Sequence, residues 1–386
     1  MTTAQKQRAP ALRFPGFSGP WAKKKIENIA PLQRGFDLPT KQIKQGKYPV
    51  VYSNGILNTH NEYKVEGPNV VTGRSGTIGK VTFVSGRCWP HNTSLWVTSF
   101  FGNDPKCIYY FYNHLHLERY NAGSTVPTLN RNDVHRLIAF IPESLEEQQK
   151  IAAFLSAVDT KIGQLNRKQS LLEQYKKGMM QKLFSQEIRF KDEDGREYPD
   201  WEEKLLGDIS NLSKGKGISK SDVVTDGTLK CIRYGELYTH YATTISRVIS
   251  STDIPPSQLE LSNKNDVIIP SSGETASDIA TAACLRLDGV ALGGDINIIR
   301  CQQNGVFLAY YLNYKKPDIA RLAQGISVIH LYASQLRLLK LGIPSKKEQQ
   351  KIADFLSAID RKIELVADQI EQARTFKQGL LQQMFI

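Results

Sequence analysis

The stretch EQQKIAAFLSAVDTKI at residues 147–162 returns as EQQKIADFLSAIDRKI at residues 348–363. The two copies lie 201 residues apart and agree at 13 of 16 positions, and the match continues without a gap to Phe184 and Phe385. Chance does not produce a repeat of this length and identity. The chain is therefore predicted to contain two copies of one structural plan.

Weaker similarities extend the repeat upstream of this stretch. Trp21 and Trp201 stand at the same distance from two following apolar residues, and each half reaches an Ile-Pro dipeptide shortly before the repeated stretch. Two further pairs of segments also align: 107–114 with 307–314, and 122–130 with 324–332. The copies are therefore collinear, and the second carries about 20 extra residues early on.

The repeated stretch has the pattern of a long amphipathic helix. Apolar residues recur from Ile151 and from Ile352 mostly in steps of three and four, as at the a and d positions of a coiled coil. A helix of about 38 residues, roughly 57 Å long, cannot bury such a stripe alone, so we expect the two to pack antiparallel within one chain. The alternative is a core helix inside a globular domain. The predicted core of the helix pair consists of Ile151, Leu155, Val158, Ile162, Leu165, Leu172, Ile352, Leu356, Ile359, Ile363, Val366 and Ile370.

The charge balance points to an anionic partner. The chain has 386 residues with 50 Lys and Arg against 38 Asp and Glu, a formal net charge of +12. Residues 147–184 contribute +4 and residues 348–385 contribute −1, so +9 lies outside the two helices. Nucleic acid is the first partner that this excess predicts, and a membrane surface is the second.

Composition argues against several classes of protein. Mean hydropathy is −0.36, and no apolar run approaches the length of a membrane span. The first 30 residues lack the apolar centre of a signal peptide. The five cysteines are scattered and never form a CxxC pair, which favours a cytoplasmic protein over a disulfide framework or a cysteine zinc site.

The parts of the chain outside the helices have the pattern of mixed α/β segments with many short strands. A polar stretch at 186–199 is typical of a linker, and an aromatic-rich segment at 108–117 fits a helix or a strand. The predicted strands include 48–52, 70–72, 80–84, 94–98, 231–234, 266–270 and 297–300.

The predicted fold class is α+β, with two α/β domains related by a pseudo-twofold repeat. Two long antiparallel helices that form an intramolecular coiled coil separate these domains. The predicted segments are a first domain at 1–142, a first spacer helix at 143–186, a linker and second domain at 187–344, and a second spacer helix at 345–386.

One glycine-rich run could bind phosphate. It extends from Gly73 to Val81 as GRSGTIGKV, but neither its glycine spacing nor Val81 fits a Walker motif. The run is either a glycine-rich hairpin or a loop whose amides, with Arg74 and Lys80, approach a phosphate or base of a nucleic acid.

Signatures of catalysis and of metal binding are missing. Asp200 and Glu202 are too close in sequence for the metal site of a PD…ExK nuclease, and His114 and His116 would not share one face of a helix. No methyltransferase signature such as NPPY, no S-adenosylmethionine loop and no Ser/His/Asp set is identified. We therefore predict neither a catalytic residue nor a metal ligand.

The duplicated EQQKIA-FLSA-[VI]D-x-KI element, together with the two divergent α/β segments, resembles the specificity (S) subunits of type I restriction-modification systems. The resemblance covers essentially the whole chain, including the openings Phe14…Trp21 and Tyr198…Trp201, the glycine-rich run and both Ile-Pro dipeptides. It implies that each globular segment is a target-recognition domain for one half of a split, asymmetric DNA sequence. It also implies that the helices hold the two domains apart and set the length of the unread spacer.

The resemblance further implies a division of labour with partner proteins. Two methyltransferase (M) subunits would dock on the helices, and restriction and translocase (R) subunits would join them to cleave double-stranded DNA. S-adenosylmethionine, ATP and magnesium would belong to those partners. This chain would bind no cofactor, metal or membrane and would be a non-catalytic subunit.

Candidate DNA contacts are polar residues in glycine-rich or polar loops, because side chains that form hydrogen bonds read base edges and cations bind phosphates. A solvated or turn-forming role stays open for each. The second half has SSGET at 271–275 where RSGTIGK would be expected, so the contacts need not correspond one to one. The candidates are Arg34, Ser53, Asn54, Arg74, Ser75, Lys80, His91, Asn92 and Thr125 in the first domain, and Lys214, Lys216, Lys220, Arg233, Tyr234, Ser272, Glu274, Asn297, Ser327 and His330 in the second.

Two other classes of function are kept as alternatives. One is a stand-alone nuclease or DNA methyltransferase with an unrecognised active site, which would bind S-adenosylmethionine or cut DNA by itself. The other is a structural coiled-coil protein that binds DNA through charge alone, which would not distinguish one sequence from another at fixed salt.

Overall fold

A computed structural model describes residues 9–123, 125–325 and 328–386. The chain divides into two compact units, each assembled from two parts of the repeat. The first unit joins residues 1–167 to residues 367–386, and the second comprises residues 168–366.

In chain order, the described part of the first unit contains nine short strands, two short helices and the start of a long helix. They are β1 (Ala22–Lys25), β2 (Leu32–Arg34), β3 (Tyr48–Tyr52), β4 (Gly55–His60), β5 (Asn69–Gly73), β6 (Val81–Val84), β7 (Trp89–Pro90), β8 (Ser94–Val97), α1 (Pro105–His114), α2 (Arg131–Arg136), β9 (Ile138–Ile141) and α3 (Leu145–Phe184).

The elements that follow α3 have the same overall order, with additional short strands. They are β10 (Glu202–Leu205), α4 (Leu206–Ile209), β11 (Ser210–Lys214), β12 (Leu229–Ile232), α5 (Glu236–Thr239), β13 (Thr244–Ile245), β14 (Ser250–Thr252), β15 (Glu260–Leu261), β16 (Val267–Pro270), β17 (Ser272–Gly273), α6 (Ala276–Ile279), β18 (Ala283–Leu285), β19 (Ala291–Leu292), β20 (Ile296–Cys301), α7 (Gly305–Tyr314), α8 (Lys316–Leu322), β21 (Ile329–His330), α9 (Ala333–Leu336), β22 (Lys340–Ile343) and α10 (Lys346–Met384).

Two main sheets and one aromatic helix form the globular part of each unit, and the helix packs on the sheet that contains β5 and β6 in the first unit and β16 and β18 in the second. In the first unit the strand orders are β2-β8-β5-β6 and β4-β3-β7, and in the second they are β11-β20-β16-β18-β13 and β14-β12-β19-β15. The aromatic helices α1 and α7 are largely buried in these units. The segment at 108–117, which fitted a helix or a strand, is therefore helical over most of its length.

A pair of antiparallel strands closes each unit before its long helix. Strand β1 pairs with β9, and β10 pairs with β22. At one end of each strand pair, Ala22 lies opposite Ile141 and Glu202 lies opposite Ile343. The isoleucine of each Ile-Pro dipeptide therefore ends an equivalent strand. The weak similarity upstream of the repeated stretch thus reflects a real structural repeat.

The long helices α3 and α10 contain 40 and 39 residues and form the antiparallel pair that the heptads predicted. In the first unit, the start of α3 shares a core with the end of α10, for example Leu155 with Leu380 and Met384. In the second unit, the end of α3 shares a core with the start of α10, as Leu183 does with Leu356. Each unit therefore needs both helices to complete its hydrophobic core.

The polar stretch at 186–199 is more ordered than a simple linker. Arg189 donates two hydrogen bonds to Glu348, and Phe190 packs edge-on against Phe355. In the first unit, Arg13 and Phe14 make the same contacts with Glu147 and Phe154. The counterpart of Phe14 is therefore Phe190, and not Tyr198, which opens the second half in the sequence comparison.

Candidate nucleic-acid interface

The hairpin that joins β3 to β4 carries the candidates Ser53 and Asn54 at its tip. The ammonium group of Lys80 reaches this tip and donates to the backbone oxygen of Asn54 at 2.5 Å. Gly73 ends β5 beside them, and a Cβ there would overlap the backbone oxygen of Thr77. The glycine-rich run and the hairpin tip therefore form one continuous surface.

Four further candidates form a connected group around Asp37 and Asn92. Arg34, the last residue of β2, lies 3.4 Å from the carboxylate of Asp37, and the side-chain amide of Asn92 donates to the same oxygen. Arg74 follows β5 and donates to the backbone oxygen of Asn92 at 3.2 Å. Burial lowers the pKa of the neighbouring His91, so this imidazole is neutral near pH 7.

The loop at 121–130 borders the same surface. Ser75 pairs with Thr128 in an isolated β-bridge, and Thr125 is exposed nearby in the loop. Arg131, which the sequence did not single out, follows the loop and lines a cavity with two of the candidate arginines. The signal that could have found Arg131 is its position directly after the polar segment 122–130. All nine candidates of the first unit therefore lie in neighbouring loops and strand ends.

In the second unit, the candidate cations gather around the turn at 293–295. Lys214 ends β11 and lies 3.9 Å from the carboxylate of Asp295. The backbone of Lys216 donates to Leu292, and Arg233 follows β12 beside the same turn. No local sequence pattern marked this Gly-Gly-Asp turn, which joins β19, the partner of β12, to β20, the partner of β11.

Two other candidates extend this surface. Lys220 is exposed in a short 3-10 helix, and Tyr234 is half-buried with its ring 6.5 Å from that of Tyr238. Both are accessible to a partner. Neither has a contact that assigns it a role.

Ser272 and His330 face each other in the small sheet formed by β17 and β21. His330 is half-buried and Glu274 is exposed. Ser272 is only 6% exposed, so the expectation of an accessible loop residue is wrong at this position. Ser327 lies outside the described residues.

Asn297 is one of the candidate contacts, but it is not accessible to a partner. It lies within β20 with 2% of its surface exposed, and its side-chain amide donates to the backbone oxygen of Leu331 at 2.9 Å. A buried amide needs such a partner, because an unsatisfied polar group costs free energy. Asn297 therefore joins two parts of the second unit in this structure.

The two surfaces occupy equivalent places on the repeated scaffold. The amide of Leu129 donates to the backbone oxygen of Arg74 at 2.7 Å, and the amide of Leu331 donates to that of Ser271 at 3.0 Å. Ser271 thus stands where the first unit has Arg74. The SSGET segment therefore takes the place of the glycine-rich run, but it brings different side chains.

The predicted core residues of the helix pair are all shielded from solvent, although not equally. The residues near the helix starts also pack on the globular parts, so they serve the core of a unit as well as the helix pair. The buried members are Ile151, Leu155, Leu165, Ile352, Leu356, Ile359, Val366 and Ile370, and the half-buried members are Val158, Ile162, Leu172 and Ile363.

Polar residues of the repeated stretch attach each long helix to its unit. Gln148 accepts from the backbone of Asp104 and donates to the backbone oxygen of Pro142. Gln349 makes the equivalent bonds with Asn304 and Pro344. The sequence revealed the repeat, but these partners are distant in sequence and could not be read from it.

Other kinds of site have no support in the part of the chain that the structure describes. No group of three or more His, Cys, Asp or Glu residues there is arranged to hold a metal ion. All five cysteines are free, and burial raises the pKa of the Cys88 and Cys284 thiols to about 12. None of the described helices combines the length and the apolar character needed to cross a membrane.

Comparisons with known proteins agree with the two-part organisation of the chain. The model of the type I restriction modification DNA specificity domain matches residues 19–174 and again residues 198–374. The MjaIX specificity subunit of Methanocaldococcus jannaschii is 22% identical over 397 aligned residues, covering 94% of this chain and 91% of that protein. The MjaVIII specificity subunit of the same organism is 26% identical, covering 71% of this chain and 68% of that protein. A third relative from this organism, 28% identical, is matched over 66% of its length.

Two solved structures share the fold. The S subunit of a type I restriction-modification system from M. genitalium is 18% identical and superimposes with a TM-score of 0.66 over 98% of this chain and 99% of that chain. A chain from a study of complex assembly and conformational transition in a type I system is 15% identical, with a TM-score of 0.57 over 96% and 97% of the two chains. With two copies of the family domain covering most of its length, the chain belongs to the family of type I restriction-modification specificity subunits.

Proposed function

We propose that each unit of this chain reads one half of a bipartite, asymmetric DNA sequence for a type I restriction-modification complex. The observation that carries the proposal is the pair of equivalent loop surfaces. They share a scaffold, as the bonds to Arg74 and Ser271 indicate, but present different side chains. Two non-identical readers related by a pseudo-twofold repeat would recognise a non-palindromic sequence.

The charge distribution supports DNA as the ligand. An excess of +9 lies outside residues 147–184 and 348–385, and the first surface alone presents Arg34, Arg74, Lys80 and Arg131. Cations on loops bind backbone phosphates, whereas neighbouring amides and hydroxyls can read base edges in the grooves. Such binding is expected to weaken steeply as the salt concentration rises.

The long helices are proposed to recruit the partner subunits. Both present exposed polar faces along their length, and the repeat offers the same kind of surface twice, which suits two methyltransferase subunits. Restriction subunits would join this assembly, in the cytoplasm, with S-adenosylmethionine, ATP and magnesium bound to the partners. The alternative of a stand-alone nuclease or methyltransferase is not favoured, because the curated relatives are specificity subunits.

An exchange of one reader tests the proposal. Residues 21–140 are replaced by the corresponding segment of a relative with a known target, and the chimera is produced with its methyltransferase partner in a host without other methylases. Methylome sequencing is expected to show one changed half-site and one unchanged half-site. If both half-sites change together, or if this chain alone methylates DNA, the proposal fails.

A further inference from the structure

A cavity of about 500 Å³ in the first unit is lined by three arginines. Arg34, Arg74 and Arg131 reach it from three different elements, and the buried side chain of Leu95 forms part of its wall. The remaining lining residues are Ala122, Thr128, Leu129, Asn130 and Asn132. The lining therefore contains three positive charges and no acidic residue.

The scaffold fixes the backbone at each of these arginines. Strand β8 lies between β2 and β5, and Leu95 pairs with Arg34 on one side and with Thr72 on the other. Arg74 is held by the hydrogen bond from the amide of Leu129 to its backbone oxygen. Arg131 begins α2, and His135 of that helix accepts a 2.8 Å hydrogen bond from the backbone of Leu32 in β2.

The positive charge in the cavity is only partly compensated. Arg34 has Asp37 at 3.4 Å, but both side chains are more than half exposed, so this ion pair is weak. Arg74 uses one nitrogen to bind the backbone oxygen of Asn92. Among the described residues, no carboxylate lies within ion-pair distance of Arg74 or Arg131. Like charges placed together in this way favour the binding of an anion.

The fold itself does not need these charges. Ser271 occupies the place of Arg74, as its hydrogen bond from Leu331 indicates. Two residues after Leu331, Ala333 begins α9, as Arg131 begins α2 two residues after Leu129. Only Lys214, which pairs with Asn297 as Arg34 pairs with Leu95, keeps a cation at the equivalent site. The second unit thus builds the same scaffold without two of the three arginines.

We propose that the three-arginine cavity binds a backbone phosphate of the DNA on which the first unit sits, an inference that rests on the proposed function. A base edge offers neutral acceptors and suits one bidentate arginine. A phosphate carries a full negative charge on oxygens that several guanidinium groups can share. The cavity therefore positions the first unit on the DNA backbone and does not itself read sequence.

The test uses the full chain and two 40-base-pair duplexes of unrelated sequence, with Kd measured over a range of salt concentrations. The double variant Arg34→Ala/Arg131→Ala removes two of the three cations that share the phosphate, and it is expected to reduce the slope of log K against log salt by about 0.9. Affinity at low salt should fall by about tenfold, and by the same factor on both duplexes. The single variants Arg34→Ala and Arg131→Ala should each lower the affinity by less, because the remaining arginines still hold the phosphate. Arg136→Ala, on the same helix but outside the cavity, should leave the slope unchanged.

The possible failures are distinguishable. A wild-type slope in the double variant overturns the phosphate site but leaves the proposed function intact. A loss of affinity confined to one duplex overturns it as well, because it identifies a base contact. If the wild-type chain binds neither duplex at low salt, the proposed function and the phosphate site both fail.

Discussion

The ammonium nitrogen of Lys176 lies 2.6 Å from a carboxylate oxygen of Asp360, where α3 and α10 pack together in the second unit. Asp360 also accepts a 2.6 Å hydrogen bond from the hydroxyl of Tyr310. The first unit contains the same ion pair between Lys377 and Asp159, again at 2.6 Å. Because the repeat relates each of these residues to its counterpart, one sequence motif fixes the register of the helix pair twice.

Replacement of Asp360 by asparagine should weaken this register. The amide can still accept from Tyr310, but Lys176 loses its counterion, and both side chains are no more than 25% exposed. We expect Asp360→Asn to lower the free energy of unfolding by about 1–2 kcal/mol, measured by urea unfolding. The exposed Asp368 on the same helix provides the control. Equal effects of Asp360→Asn and Asp368→Asn would contradict a role for the ion pair.

A second prediction concerns the buried carboxylate of Glu348. This carboxylate is fully buried, and it accepts two hydrogen bonds from Arg189 and one from the indole of Trp201. Glu348→Ala leaves the largely buried Arg189 with only the fully exposed carboxylate of Asp200, 3.4 Å away, as a counterion, which is expected to cost about 3–5 kcal/mol.

Because Arg189 anchors the stretch at 186–199, the same variant should also expose that stretch to proteolysis. Limited trypsin digestion with N-terminal sequencing of the fragments measures this, and Glu364→Ala at an exposed position of α10 is the control. Cleavage after Lys191 or Arg196 at the wild-type rate would show that Glu348 does not hold the stretch in place.

The first unit should lose stability in mild acid. Burial, and then the positive charge of Arg131, lower the pKa of His135, whose neutral Nε2 accepts from the backbone of Leu32. Burial lowers the pKa of His91 and His114 as well. The folded unit disfavours protonated imidazoles, so the contribution of these three histidines to the free energy of unfolding is fully present above about pH 6.5. It is lost as the pH falls from about 6.5 through their lowered pKa values.

Hydrogen exchange measured between pH 8 and pH 5.5 should therefore show β2 and α2 opening first. His135→Gln, which keeps an acceptor but does not titrate, should make the pH dependence of this region shallower. Identical pH profiles for the wild type and this variant would exclude His135 as a contributor.

The helices were predictable from the sequence, whereas much of the interface was not. Heptad spacing is a local property, so Ile151, Leu155 and their counterparts could be identified without a structure. The partners of Gln148 and Glu147 lie far away in sequence, and no local pattern encodes such pairs. The stretch at 186–199 was predicted to be a linker because it is polar. Arg189 and Phe190, which anchor it, are only two residues in a charged stretch and form no pattern of their own.

The accessibility of individual polar side chains could not be predicted from the sequence. Polar residues are usually exposed, and that rule failed at Asn297 because its amide satisfies the backbone of Leu331 inside the unit. Arg131 was not identified for a different reason, because a cation at the start of a short helix resembles any solvated charge. The loops that bring Arg131 towards Arg34 and Arg74 depend on pairings between distant strands.

The last prediction is that the length of the helices sets the length of the unread DNA between the half-sites. Asp159 and Lys176 of α3 are separated by as many residues as Asp360 and Lys377 of α10, so seven residues added to both intervals preserve both ion pairs. A heptad also preserves the apolar stripe and adds about 10 Å to a helix. We expect the unread spacer to lengthen by about three base pairs, at 3.4 Å each, in methylomes of cells that express the variant with its methyltransferase partner. A heptad added to only one helix should instead break one ion pair and destabilise the chain. An unaltered spacer in a stable, active double insertion would mean that the helices do not measure the DNA.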